Sequence, residues 1–164
     1  MTRILLCFGI ITLILSCSKK EPEFPVPMHT PVITGFIFRD LYGNVTGETG
    51  IPNSKLNDPE IITENIEFRL GVFPVPCYDR FRIEIATPGE KKIWIVPANL
   101  SPGLNNHFNS IVKNLSATPV FTLITYDNTI MVDIPETEHL YYRIYVEIQG
   151  VLLWAHMIID NSTS

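Results

Sequence analysis

The chain has 164 residues, 46% of them hydrophobic, with 12 basic residues against 17 acidic ones and a formal net charge of -5. An acidic chain with no basic run has no electrostatic footprint for DNA or RNA, which excludes nucleic acid as an expected partner. Its length suits one domain of common size, about 130 residues, once a leader and a linker are set aside.

A short basic start, Met1-Thr2-Arg3, precedes the apolar run Ile4 to Leu15, which stops at Ser16-Cys17-Ser18-Lys19-Lys20-Glu21. A membrane span needs roughly 20 apolar residues, so residues 1–16 read as a secretion signal. The stretch Ile14-Leu15-Ser16-Cys17 resembles the lipobox of bacterial lipoproteins. That resemblance implies cleavage between Ser16 and Cys17 and a diacylglycerol on Cys17, with membrane lipid as the first partner. Each buried methylene contributes about 0.8 kcal/mol, and two or more acyl chains give lasting attachment. An ordinary cleaved signal with an incidental cysteine is the other reading of the same residues.

Residues 17–31 carry Pro22, Pro25, Pro27 and Pro31 and balance Lys19 and Lys20 against Glu21 and Glu23. Proline-rich chain extends by about 3.1 Å per residue, so this tether reaches roughly 40 Å. The run "SKKEPE" resembles the export tags of Bacteroidota lipoproteins. The implied location is the outer membrane of the cell envelope, with periplasmic and surface-facing orientations both open.

Of the 3 cysteines, Cys7 leaves with the signal and Cys17 takes the lipid, so Cys77 has no partner for an intramolecular disulfide. A reactive thiol needs a base or cation beside it, and the nearest charges in sequence are Asp79 and Arg80. The expectation is an inert, buried Cys77.

From residue 32 onward apolar residues recur with period two, the signature of half-buried strands. Ile66, Phe68, Leu70 and Val72 show it, as do Phe81, Ile83 and Ile85, and Tyr142, Ile144, Val146 and Ile148. Further strands are predicted near 32–39, 92–97, 119–126, 129–134 and 151–159, about eight in all, joined by short Gly, Pro and Asn turns. Such a chain predicts an all-β domain over 32–164: an antiparallel two-sheet sandwich, immunoglobulin-like, with one short helix near 105–115.

The segment "VFPVPCYDRFRIEIATPGEKKIWI" resembles the opening of the sorting domains of type IX secretion cargo, through Phe73, Pro74, Pro76, Asp79, Phe81, Ile83 and Ile85. "LYYRIYVEIQGVLLWAHMII" is similar to that family's closing hairpin, while Val75 stands where the family has asparagine and no basic tail follows. The resemblance implies a sandwich. Pro74 and Pro76 lack backbone donors and belong at an edge, a bend or a bulge, so the double-proline break reads as a corner between sheets.

Motifs that carry chemistry are missing: no Gly-rich phosphate loop, no G-x-S-x-G, no H-E-x-x-H and no C-x-x-C. His29, His107, His139 and His156 are scattered, so no metal and no cofactor is expected. "DLYGNVTGE" reads as a hairpin turn, since it lacks the alternating carboxylates of a calcium loop. The candidate ligand surface is the outward parity of the strand 141–149, with Tyr141, Arg143 and Tyr145, joined by Trp154 from the next strand. Aromatic faces beside polar groups suit a sugar, whereas the same rings also make ordinary cross-strand pairs. The expected function is a membrane-anchored, non-catalytic binding or structural module for a glycan or an envelope protein. The alternative is an envelope hydrolase using Asp79, Glu84 or Glu147.

Overall fold

The computed structural model describes residues 24, 29–52, 62–63, 66–67, 69–104, 117–134 and 140–160, with backbone alone at 62–63 and 66–67. Its strands are Val32–Ile33 (β1), Gly35–Arg39 (β2), Val45–Gly50 (β3), Ile62–Thr63 (β4), Ile66–Glu67 (β5), Leu70–Phe73 (β6) and Arg80–Ile85 (β7). Lys91–Pro97 (β8), Asn99–Leu100 (β9), Phe121–Thr125 (β10), Thr129–Asp133 (β11), Tyr141–Ile148 (β12) and Val151–Ile158 (β13) follow. Each of the eight stretches read as strand contains strand, but 32–39 divides into β1 and β2 at Thr34, and 66–72 into β5 and β6, with Arg69 outside both. The hairpin partner β3 was not anticipated, because "VTGETG" is mostly exposed and buries too little to need apolar alternation.

The fold is an all-β sandwich of antiparallel sheets. One layer has the order β10-β8-β12-β13 and the other β11-β7-β6. The hairpin β2-β3 joins the second layer where Val75 and Arg39 exchange both backbone hydrogen bonds, at 3.0 and 3.1 Å. One side chain in two points inward, as pleating requires. Ile93, Ile95, Tyr142, Ile144, Val146, Leu153 and Met157 from the first layer meet Val72, Phe81, Ile83, Ile85, Ile130 and Val132 from the second in one apolar core. Each such side chain contributes about 1.5–3 kcal/mol on burial, which supplies stability without a disulfide. Lys91 breaks the alternation: it lies on the inward parity at one end, and its ammonium donates to the carbonyls of Gly89 (3.0 Å) and Tyr126 (3.2 Å).

The double-proline break is the corner expected of it. Val75 pairs with Arg39 of the second layer, and two residues later Cys77 pairs with Ile159, just past the end of β13 in the first. The chain therefore steps between layers within "PVPC", and both X-Pro bonds there are cis. Cys77 is 4% exposed and packs behind the step. Residues 102–104 begin a helical turn, and the helix expected at 105–115 lies outside the described residues. So do Ser16 and Cys17. Among the described residues no helix is long and apolar enough to cross a membrane.

Candidate functional site

The strand register decides which of the predicted surface residues meet. Tyr145 faces Trp94 on β8 and Trp154 on β13, so the three rings form one row across the outer face of the four-stranded sheet. Tyr145 stacks on Trp94 with ring centroids 5.2 Å apart and planes 17° from parallel. Phe24 meets the same indole edge-on at 6.1 Å, and Trp94 is 1% exposed. Arg143 lies over Trp154 at 5.9 Å and donates to the Val32 carbonyl at 2.7 Å. Tyr141 is buried and tilts against Phe36 at 6.2 Å.

Arg143, Tyr145 and Trp154 thus share a face, half-buried, with Tyr141 packed away beside it. The face binds its own chain: one side of the Tyr145 ring is taken by Trp94, and Arg143 is committed to Val32 and to His156. The indole nitrogens of Trp94 and Trp154 are buried without a hydrogen-bond partner among the described residues. Trp94 is out of phase with Ile93 and Ile95 and so stands on the outward parity of β8. Its outward indole is buried all the same, since Tyr145 and Phe24 cover it.

A second feature lies on the outer face of the other layer and has no counterpart in the sequence motifs. It is a cleft of about 530 Å³ lined by Arg39, Tyr42, Arg69, Phe73, Glu84 and Thr129, among others. Its floor is open because the row Gly71, Glu84, Thr129 runs across the sheet and glycine contributes no side chain to it. Its wall is the turn between β2 and β3. There the Asp40 carboxylate accepts from the backbone of Tyr42 and Asn44, and from the Asn44 amide, each at 2.9 Å. Those bonds hold the Asp40 carboxyl below its usual range, with the Asn44 amide the main cause. Gly43 turns with φ +85°, and a Cβ there would come within 3.1 Å of the Phe73 ring, so only glycine fits without strain.

Two cations line this cleft. Arg39 is half-buried and donates from Nη1 to the Gly43 carbonyl at 2.7 Å; no carboxylate among the described residues pairs with it. Burial pulls its pKa below the ordinary value, and it stays charged at neutral pH. Among the described lining residues the carboxylate is Glu84, engaged by Arg82 at 3.2 Å, and Arg82 also sits over the Phe73 ring at 4.4 Å. Tyr42 stands at the rim, 83% exposed. The turn in "DLYGN" is legible in the sequence, whereas the cleft is not, because Arg39 and Glu84 come to one site only through the pairing of distant strands.

The carboxylates considered for hydrolysis are not brought together. Glu84 is on the outer face of one layer, and Glu147, paired with Lys92 at 3.4 Å, is on the outer face of the other. Asp79 is exposed at the corner. His156 is buried and His29 exposed, whereas His107 and His139 lie outside the described residues. Among the described residues no three His, Cys, Asp or Glu side chains converge.

Comparison of the chain with known protein families, curated proteins and solved structures found no match.

Proposed function

We propose that the chain is a lipoprotein of a bacterial outer membrane, held by acylated Cys17, whose sandwich is a non-catalytic module that binds a glycan or an envelope protein. Support for the anchor comes from "ILSC" at the end of an apolar run too short to span a bilayer. The observation that carries the binding reading is the cleft, lined by Arg39 and by the exposed ring of Tyr42, with Glu84 and Glu147 on opposite faces and Asp79 at the corner.

The test is metabolic labelling with an alkyne fatty acid, followed by membrane fractionation. Wild-type protein should carry the label and sediment with membranes, while Cys17→Ser should lose the label and the attachment together. An unlabelled wild-type protein, or a Cys17→Ser variant that keeps the label, would refute the anchor.

A further inference from the structure

We infer that the cleft between the β2–β3 turn and strands β6 and β7 binds an uncharged saccharide over Gly71, its hydroxyls on Arg39 and Glu84 and its ring against Tyr42. The inference rests on the binding-module reading above and adds the ligand class. Gly71 is the first observation that points to a ligand. It lies inside β6, in a row with Glu84 and Thr129, and glycine within a strand weakens it and often marks a place where a ligand approaches closely. Local geometry does not ask for glycine here. Gly71 takes no positive φ, and a Cβ on it would meet the Phe73 ring at 3.4 Å, an ordinary contact. What the missing side chain preserves is the open floor.

The polar groups around that floor suit hydroxyls better than an ion. Arg69 is already engaged, which leaves Arg39 against Glu84 among the described lining residues. Arg39 uses Nη1 on the Gly43 carbonyl and has further N–H donors, and Glu84, held by Arg82 through Oε1, is a carboxylate with further lone pairs. Asn128 and Thr129 add side chains that both donate and accept. A hydroxyl does the same, so a sugar can use Arg39 and Glu84 together. An anion drawn to Arg39 meets the Glu84 charge in the same cleft, and like charges repel. The volume of about 530 Å³ lies in the range of small-molecule sites, roughly 300–1,000 Å³. Tyr42 supplies a flat ring at the rim for the C–H face of a pyranose, and its backbone is fixed through Asp40. Rigid contact groups lower the ordering cost of binding.

The experiment is titration calorimetry on the full-length protein in detergent, with cellotriose, xylotriose and mannotriose as uncharged probes and trigalacturonic acid as the acidic one. At least one uncharged trisaccharide should bind, at least about tenfold more tightly than the acid (a tenfold change is about 1.4 kcal/mol). Gly71→Val fills the floor without removing a polar group, and Tyr42→Ala removes the exposed ring; each should reduce that affinity several-fold, with unfolding curves run on both. Glu84→Gln should move the two kinds of probe in opposite directions, weakening the uncharged sugar and strengthening the acid, which a merely structural role for Glu84 would not do. Tighter binding of the acid than of all three uncharged probes would overturn the ligand class while leaving a binding module in place. Wild-type affinity in both Gly71→Val and Tyr42→Ala would overturn the cleft as the site, again leaving the module. No binding of any uncharged probe at millimolar concentration would overturn the inference; the module reading would then stand on its envelope-protein alternative, which chemical crosslinking in cells tests separately. None of these results bears on acylation at Cys17, which the labelling experiment reads.

Discussion

Arg143 donates from Nε to Nε2 of His156 at 3.2 Å, across directly facing positions of β12 and β13. That bond fixes the tautomer: Nε2 accepts, so Nδ1 carries the hydrogen and donates to the Gly35 carbonyl at 2.9 Å. With Arg143 also bonded to Val32, the pair ties the two last strands to the first two.

His156 is pushed down to about 4, first by burial and then by the Arg143 charge, with the Gly35 bond acting the other way. Unfolded, it titrates near 6.5. Between these values the unfolded chain binds a proton that the folded chain refuses, so stability falls as pH drops through this window and is unaffected above it. Lowering the pH from 7 to 5 should cost about 2 kcal/mol through this one group. Urea denaturation at both pH values checks it. His156→Gln should flatten the slope, and an equally steep slope in that variant would assign the effect elsewhere.

Phe24 is the ring that closes over Trp94. In a Trp154→Phe background, where Trp94 is the sole indole, Phe24→Ala should raise acrylamide quenching and shift emission to the red. The contact is worth about 0.5–1.5 kcal/mol beyond its buried area, so the fold should survive. Unchanged quenching would mean that the tether does not cover this face.

Cys77 should behave as an inert core residue. Burial first, then the Asp79 charge, pushes its thiol up to about 12, leaving almost no thiolate at pH 8. Maleimide labelling followed by peptide mass spectrometry should find Cys77 unmodified in the native protein and modified in denaturant. Fast native labelling would show that the corner opens.

Ile144 is fully buried between Ile95 and Ala155. Ile144→Ala should therefore cost about 2–5 kcal/mol. Glu147→Ala, three positions on, breaks only a half-exposed pair with Lys92 and should cost at most about 1 kcal/mol. Comparable losses in the two variants would contradict the assignment of inward and outward faces.

What the residues alone determined is the part of the fold set by local pattern. Phe81, Ile83 and Ile85 had to face one way because pleating has period two, and the same held for Tyr142 to Ile148. Pro74 and Pro76 had to end a ladder because they have no N–H to give it. The hairpin at Asp40–Asn44 was legible from turn chemistry. An edge strand such as β3 was not, since it buries little and carries no apolar signal.

Partnership between distant strands belonged to the tertiary structure. Tyr145 and Trp154 were near neighbours across one turn and could be foreseen together. Trp94 lies on a different strand, and only the β8–β12 register put it against Tyr145 as a stack within the candidate ligand surface. The cleft arose the same way: Arg39, Gly71 and Glu84 belong to three strands, and their meeting depends on pairing that no local spacing encodes. Side-chain period is a property of one strand, whereas a site is a property of which strands lie side by side.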